Sequence, residues 1–253
     1  MPEVIAFGEA MIRLAPPDFQ RLEQATALKM TVGGSELTVA AAVARLGLDA
    51  GWVSRLPDNA LGRLAQNKAR EFGVDTSKIV WTNEQRMGIY FVEFGASPRP
   101  SSVIYDRSHS AISQMKPGEA DWAEVFSGAK WFHTSGITPA LSDSVAEVTA
   151  EAMRTAKDMG LTVSYDLNYR AKLWSQEKSR AVQEPLMELV DVLITTEEDT
   201  ERVFGITGAD YKEVAKKVAE RYGHRVVTIT LRGTPSVWRN TWSAIAYSDG
   251  QFV

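Results

Sequence analysis

The sequence predicts an α/β domain with a mainly parallel, doubly wound sheet that helices cover on both faces, in three layers. Short apolar segments typical of strands alternate with longer segments of helical periodicity from the start of the chain to about residue 231. Glycines follow most of the predicted helices, where they favour termination. Strands and helices that alternate in this way form parallel sheets through right-handed crossovers.

The individual elements follow from the local pattern. We predict strands at residues 4–7, 30–32, 52–54, 130–134, 161–166, 190–195 and 226–231, and a hairpin of residues 243–247 and 251–253. We predict helices at residues 36–46, 59–72, 143–159, 179–189, 197–204 and 211–222. Ser35 and Asp58 are the predicted N-caps of the first two helices, because their side chains accept hydrogen bonds from free backbone N–H groups.

Residues 87–107 interrupt the alternation. The β-like segments 87–94 and 102–107 flank a turn-rich stretch that contains Gly95 and two prolines, which predicts an antiparallel hairpin. We expect this hairpin and residues 10–33 to form a small β-sheet lid within one domain of residues 1–253. Because residues 89–92 are apolar on both faces, we also expect a homodimer through the lid.

Composition excludes several classes of protein. The chain has 253 residues, of which 44% are apolar and 24% charged, with a net charge of −4 and no cysteine. Nucleic-acid binding is disfavoured by the charge, and disulfides, thiolate catalysis and zinc–cysteine sites are excluded. The apolar segment 38–53 contains Arg45 and Asp49 and is too short to span a bilayer. With no signal peptide in view at Met1, we expect a cytoplasmic protein without membrane partners.

Ligands of an open parallel sheet bind beyond the carboxyl ends of its strands. Gly33 and Gly34 stand there at a helix start, where free N–H groups favour anionic or hydroxyl ligand atoms, although a tight turn explains the pair equally well. Asp166, Asn168 and Arg170 share one side of an extended segment. They suit a phosphate or sugar-acid site in which Asp166 holds a metal ion, although a solvated salt bridge is the alternative.

The hairpin carries a further candidate surface. Tyr90, Tyr105 and Arg107 fall on one face if the two strands pair as expected, and Arg107 there could bind a carboxylate through two hydrogen bonds. Strand propensity alone favours the two tyrosines as ordinary half-buried residues. The three histidines lack metal-ligand spacing and are interpreted as structural. No P-loop, G-x-G-x-x-G or G-x-S-x-G motif is present in the sequence.

Several separated segments together resemble one family. Residues 4–9, 33–40, 58–62, 166–168, 196–199 and 230–231 are similar, in order and spacing, to the ribokinase-like, or phosphofructokinase-B-type, carbohydrate kinases. The resemblance implies a ribokinase-like fold and a reaction that uses ATP and Mg²⁺. Within the family, residues 104–113 and the set Asp166, Asn168 and Arg170 look most like 2-keto-3-deoxygluconate kinases. A keto-acid needs fixed cations in its site, whereas ribose or adenosine does not.

The resemblance also implies a role for each candidate residue. The substrate would contact Gly33, Gly34, Tyr90, Tyr105, Arg107 and Arg170. The nucleotide and its phosphates would lie near Asn168, Thr196, Thr230 and Gly233, and Mg²⁺ near Asp166 and Asp199. The expected reaction is phosphorylation of the terminal hydroxyl of 2-keto-3-deoxygluconate. A kinase for another sugar or sugar acid and a non-catalytic sugar-acid-binding protein are the alternatives.

Four departures from the family pattern qualify this expectation. Thr38 replaces the usual Asn of the first signature, and Thr196 to Asp199 replaces Asn-x-x-Glu. Arg232 stands where the family has Gly. The Gly-Ala-Gly-Asp signature, whose Asp is the general base, does not occur in the sequence. We therefore expect that this chain lacks the C-terminal part of the family fold and its catalytic base, and that it is inactive alone.

Overall fold

A computed structural model describes residues 1–236 and 239–253. The strands are β1 (Val4–Phe7), β2 (Met11–Ala15), β3 (Lys29–Gly33), β4 (Ala50–Val53), β5 (Arg55–Pro57), β6 (Val80–Thr82), β7 (Ile89–Glu93), β8 (Ser102–Asp106), β9 (Trp131–Ser135), β10 (Thr162–Asp166), β11 (Val192–Thr195), β12 (Val226–Ser236), β13 (Arg239–Ser248) and β14 (Gln251–Phe252). The α-helices are α1 (Ser35–Arg45), α2 (Ala60–Glu71), α3 (Trp122–Val125), α4 (Asp143–Asp158), α5 (Gln176–Leu186), α6 (Glu197–Phe204) and α7 (Tyr211–Tyr222).

The large sheet has the strand order β14-β13-β12-β11-β10-β9-β1-β4. Neighbours from β4 to β12 pair in parallel, whereas β13 and β14 add to the edge in antiparallel pairs. The mainly parallel sheet of the α/β prediction is therefore confirmed. The carboxyl ends of β1, β9, β10 and β11 come together at one edge, where ligands of such sheets bind.

Side-chain alternation along β1 explains the two cores. Ile5 and Phe7 join the large apolar cluster that α4, α6 and α7 cover, and Ala6 faces the smaller cluster under α1 and α2. The period of two sends successive residues to opposite faces of a strand. Helices therefore pack on both faces of the sheet, which gives the predicted three layers.

The far half of the large sheet is covered unevenly. Leu193, Val227 and Ile229 are buried under the helices of the larger cluster. Their neighbours Val192 and Val226, on the alternate positions, remain partly exposed. One face of β11 and β12 is thus packed more fully than the other.

Two predicted helix starts are wrong by one residue. Helix α1 is capped by Gly34 instead of Ser35, and α2 by Asn59 instead of Asp58. The Asn59 side chain accepts hydrogen bonds from the N–H groups of Leu61 and Gly62, so Asn59 has the capping role expected of the neighbouring aspartate.

Strand β12 is longer than predicted. The expected end was residue 231, but β12 continues to Ser236 because it pairs antiparallel with β13. Gly233 therefore lies inside a hairpin opposite Thr241, and its predicted position in a loop after the strand is wrong.

A second sheet, in the order β3-β2-β7-β8, stands beside the large one. Strands β7 and β8 pair antiparallel, as predicted for the hairpin, with Tyr90 opposite Tyr105. Strand β2 joins them to β3, so residues of the 10–33 segment belong to the same small sheet. Among the described residues, no helix is long and apolar enough to cross a membrane.

Candidate functional site

A cleft of about 1200 Å³ lies between the small sheet and the carboxyl edge of the large sheet. Its lining includes seven of the predicted site residues, namely Gly33, Gly34, Tyr90, Tyr105, Arg107, Asn168 and Arg170. A smaller cavity of about 370 Å³ against Pro2 and Gly51 contains none of them. Seven of the twelve predicted site residues thus share one cleft, whereas Asp166, Asp199 and three others are not part of its lining.

The small sheet contributes an aromatic wall to the cleft. The rings of Tyr90 and Tyr105 stack with centroids 5.8 Å apart, and the Arg107 guanidinium carbon lies 5.6 Å from the Tyr105 centroid. Burial, opposed by the charge of Arg13, raises the pKa of Tyr90, which keeps its hydroxyl protonated as a hydrogen-bond donor. A Cβ at Gly33 would collide with that hydroxyl, so only glycine fits there.

Arg107 has a protein partner that the sequence did not reveal. Its Nη2 donates to the carboxylate of Glu9, at the end of β1, and the Ser110 hydroxyl donates to the other Glu9 oxygen at 3.1 Å. The ion pair is almost wholly buried. Arg107 is therefore held in place before any ligand arrives.

The N-terminus of α1 forms the floor of the cleft. Gly34 is extended, with φ −166°, and a Cβ at this position would collide with the Glu9 carbonyl oxygen. The Gly34 carbonyl accepts hydrogen bonds from the N–H (3.0 Å) and the hydroxyl (2.6 Å) of Thr38. Thr38, which replaces the family's asparagine, thus closes the first helical turn with its own side chain.

The loop after β10 places a carboxylate and an amide beside the cleft. The Asp166 carboxylate accepts a hydrogen bond of 3.1 Å from the Asn168 N–H, and the Asn168 amide lies 3.4 Å from the Ser35 hydroxyl. Asn168 has φ 40°, in the left-handed region that asparagine tolerates better than most residues. This backbone conformation turns the chain so that the amide points towards α1.

Asp199 lies close enough to Asp166 to affect its ionisation. Burial, reinforced by the charge of Asp199, raises the pKa of Asp166 to about 6, although Arg170 opposes the shift. Burial also raises the pKa of Asp199, whose carboxylate accepts a hydrogen bond from the Tyr169 N–H at 3.3 Å. Burial thus makes the charged form of both carboxyl groups less favourable than it is in water.

Two cations lie where the loop meets the small sheet. Arg170 is exposed and has no ion pair within the described residues. Lys172 donates to the Val103 carbonyl of β8 at 3.2 Å and lies 5.6 Å from the Tyr105 ring centroid. Lys172 therefore bridges the large-sheet loop and the small sheet across the mouth of the cleft.

The remaining predicted residues lie outside the lining of this cleft. Thr196 caps α6, where its hydroxyl accepts a hydrogen bond of 3.0 Å from the Asp199 N–H. The Thr230 hydroxyl donates to the Thr195 carbonyl at 3.2 Å, and Gly233 faces Thr241 in the β12–β13 hairpin. They follow the carboxyl end of the sheet beyond Asp166, towards β12.

Glu36 is a buried carboxyl group in the floor of the cleft. It accepts hydrogen bonds from the hydroxyls of Ser135 (2.5 Å) and Thr138 (3.2 Å), beyond β9. Burial raises the pKa of Glu36 to about 7, and the hydrogen bonds from the two hydroxyls offset this shift only in part. A Cβ at Gly8 would overlap the carboxyl group, so β1 approaches α1 closely only because residue 8 is glycine.

We expect the parent protein to lose stability, relative to a Glu36→Gln variant, as the pH rises from 4.5 to 7. The pKa of Glu36 is about 7 in the folded protein and 4.5 in the unfolded reference, so the folded state binds more protons between these values. The stabilisation by the protonated carboxyl is complete below 4.5 and is lost as the pH passes 7, with a total of about 3 kcal/mol.

Chemical denaturation across this pH range measures the difference in unfolding free energy between the two proteins, which cancels the other titrating groups. Glu147→Gln, which changes an exposed residue of α4, serves as the control. A parent–variant difference that does not change with pH would show that folding does not raise the pKa of Glu36.

Sequence reasoning places Glu9 after a strand, where ligands bind, but assigns it no role, and it missed Glu36 and Lys172 as cleft residues. Each had a positional signal: Glu9 lies two residues after β1, Glu36 lies two residues after Gly34, and Lys172 continues the alternation beyond Arg170. Their partners lie 98, 99 and 69 residues away along the chain, respectively, and no local pattern identifies such contacts.

Comparison with known proteins agrees with this architecture. The profile of the pfkB family carbohydrate kinases matches residues 1–247. A 2-dehydro-3-deoxygalactonokinase of Haloferax volcanii is 41% identical over 228 residues, which cover 90% of this chain and 71% of the relative. A crystal structure of 2-dehydro-3-deoxygluconokinase from Thermotoga maritima superimposes with a TM-score of 0.96 at 46% identity, covering 99% of this chain and 78% of the other.

A putative Ribokinase II from E. coli, in complex with ATP and Mg²⁺, has a TM-score of 0.84 at 19% identity, and covers 100% of this chain and 77% of the other. At that identity the likeness concerns the fold alone, and it confirms the predicted ribokinase-like α/β fold. With the family profile spanning almost the whole sequence and two relatives this similar, the chain belongs to the pfkB family of carbohydrate kinases.

Proposed function

We propose that this protein is a kinase that uses ATP and Mg²⁺ to phosphorylate the terminal hydroxyl of 2-keto-3-deoxygluconate. The observation that carries the proposal is the presence of two arginines, Arg107 and Arg170, on opposite walls of one cleft beside the Tyr90–Tyr105 stack. A neutral sugar needs no such cations, whereas the carboxylate of a sugar acid does.

The similar proteins support a sugar acid as the substrate. The relatives from Haloferax volcanii and Thermotoga maritima are named as kinases of 2-dehydro-3-deoxygalactonate and 2-dehydro-3-deoxygluconate. The two acids differ in the configuration of one hydroxyl-bearing carbon, so the galactonate is the first alternative substrate. A non-catalytic sugar-acid-binding protein is the alternative from another functional class.

We assign the substrate to the cleft residues, with the backbone at Gly33 and Gly34 near its hydroxyls. Tyr90 and Tyr105 would pack against its carbon chain, and Arg107 and Arg170 would bind its carboxylate. Asn168, Thr196, Thr230 and Gly233 would lie along the nucleotide.

Asp166 and Asp199 fit a Mg²⁺ site. Their raised pKa values arise from burial and, for Asp166, from the nearby charge of Asp199, and a cation between them would relieve both. Carboxylate oxygens are the ligands that Mg²⁺ prefers in proteins. Bound there, Mg²⁺ would neutralise charge on the phosphates of ATP.

Phosphoryl transfer makes a bond from the substrate hydroxyl oxygen to the γ-phosphorus as the bond to ADP breaks, and the hydroxyl proton passes to a base. The cleft residues bind and orient the acid for this step. The family's base belongs to the Gly-Ala-Gly-Asp signature, which these 253 residues do not contain. We infer that residues 1–253 by themselves bind part of the substrate but do not catalyse transfer.

The test is an ADP-release assay of the full-length protein with ATP, Mg²⁺ and a panel of acceptors. We expect the highest kcat/KM for 2-keto-3-deoxygluconate, a lower value for 2-keto-3-deoxygalactonate, and the lowest for the uncharged analogue 3-deoxyfructose. Equal use of 3-deoxyfructose would contradict a sugar-acid kinase. Binding of the acid without ADP release would favour the non-catalytic alternative.

We also propose a homodimer through the small sheet. Met30, Leu14, Phe91 and Ile104 lie side by side on the face opposite the tyrosines, by strand register. Met30 and Ile104 are 50% and 57% exposed. Such an apolar row on a sheet favours association with a second copy.

For this surface we expect light scattering to give a dimer for the parent protein and a monomer for Ile104→Glu. Leu46→Glu, which changes an exposed leucine after α1, is the control and should remain dimeric. A monomeric parent at micromolar concentration, with the hairpin folded, contradicts the proposal.

Because ATP and sugar acids meet in the cytoplasm, we place the reaction there.

A further inference from the structure

Glu9 occupies an unusual position for a charged residue. It follows β1 at the floor of the cleft, and only 3% of its surface is exposed. One carboxylate oxygen accepts from Arg107 Nη2, and the other accepts from the Ser110 hydroxyl at 3.1 Å. Burying a charge this deeply is costly unless it is paired, so the Glu9–Arg107 contact must persist for the local structure to hold.

The surroundings of Glu9 leave it little freedom to move. A Cβ at Gly34 would collide with its carbonyl oxygen, and a Cβ at Gly88 would come within 3.1 Å of its carboxylate. Two glycines, one at the start of α1 and one just before β7, thus make room for this residue. The Glu9 carboxylate is therefore held in place, and the Arg107 side chain takes the conformation that reaches it.

Arg107 retains hydrogen-bonding capacity after it has bound Glu9. Its Nε is buried and has no partner within the described part of the chain. A guanidinium group presents five N–H donors in a planar fork, and only Nη2 is directed to Glu9. The carboxylate therefore fixes the plane of the fork and leaves other donors for a ligand.

We propose that Glu9 is a positioning residue that holds Arg107 in the orientation that binds the substrate's carboxylate, and so determines the preference for sugar acids over neutral sugars. The inference rests on the proposed function.

Glu9 could act through its negative charge or by positioning Arg107, and these two roles predict opposite effects for Glu9→Gln. If Glu9 acted only through its negative charge, its removal would strengthen binding of an acid, because Arg107 would no longer be neutralised. If Glu9 positions the arginine, its removal weakens binding of the acid. The sign of the change therefore separates the two roles.

The experiment compares kcat and KM for 2-keto-3-deoxygluconate and uncharged 3-deoxyfructose in the full-length protein. For Glu9→Gln we expect KM for the acid to rise by about tenfold or more, the loss typical of a charge-assisted contact, with kcat and the kinetics for 3-deoxyfructose little changed. Glu93→Gln, which removes the partner of Arg99 elsewhere on the small sheet, is the matched control and should keep the parent's selectivity.

A double variant keeps the test valid if the single variant Glu9→Gln folds poorly. Glu9→Gln/Arg107→Gln removes both charges and so avoids an unpaired buried ion. We expect the same acid selectivity for this double variant as for Arg107→Gln alone, because Glu9 acts through Arg107. Unchanged or increased selectivity in Glu9→Gln, or a further loss in the double variant, would overturn the inference. A parent protein that does not prefer the acid would instead contradict the proposed function.

Discussion

A polypeptide that consists of residues 1–253 is expected to release no ADP above background when mixed with ATP, Mg²⁺ and 2-keto-3-deoxygluconate. Transfer needs an oriented hydroxyl, a base for its proton, and donors aimed at the γ-phosphate. A missing base costs about 10²–10⁴-fold in rate, and missing donors at the developing charge cost about 10²–10³-fold. The sequence lacks the Gly-Ala-Gly-Asp signature that supplies both in the family.

The assay uses protein whose mass confirms that it ends at Val253, and the 2-dehydro-3-deoxygluconokinase from Thermotoga maritima is the positive control. Turnover near about one per second, within the usual range for enzymes, would mean that a described residue serves as the base. Glu36 is the group to test first, since it lines the cleft and has a pKa of about 7. Loss of that turnover in Glu36→Gln would identify it.

Arg170→Ala in the full-length protein is expected to lower kcat/KM for the keto-acid, because a charge-assisted contact with the carboxylate is lost. The expected loss of transition-state stabilisation is about 2–4 kcal/mol. Arg170 is exposed and makes no ion pair among the described residues, so the melting temperature should fall less than it does for Arg107→Ala. Arg107→Ala should cost a similar amount of kcat/KM and should also destabilise the fold by about 3–5 kcal/mol, because Glu9 is left buried and unpaired.

Steady-state kinetics and thermal unfolding of the same preparations measure both effects. Arg86→Ala, which breaks an exposed pair with Asp106 on the small sheet, is the control and should alter neither quantity much. If both single variants phosphorylate the keto-acid as well as the parent does, the assignment of the substrate carboxylate is wrong.

Local pattern was sufficient for most of the fold. Strand β1 and helices α6 and α7 have the predicted bounds, because each is fixed by a nearby signal: a buried apolar run, a capping side chain, or a glycine at positive φ such as Gly205. Strand β12 was misjudged because its length depends on pairing with β13, which only the folded chain provides.

Part of the candidate site could likewise be predicted from the local sequence pattern. The period of two along β7 and β8 is enough to predict that Tyr90, Tyr105 and Arg107 share one face of the hairpin. The same periodicity gives no hint that Arg107 is bound to Glu9, 98 residues earlier in the chain. Contacts of that kind depend on how two sheets meet, and they decide whether a cation is free for a ligand or already engaged.

The uneven covering of β11 and β12 has a consequence for work with these 253 residues in solution. Val192 and Val226 present β-branched side chains on a partly exposed sheet face, an arrangement that favours contact with other apolar surfaces and with hydrophobic dyes. This surface should therefore limit how long concentrated protein can be stored without aggregation, more than it limits the melting temperature. A polar residue at position 192 or 226 is the change that should extend storage.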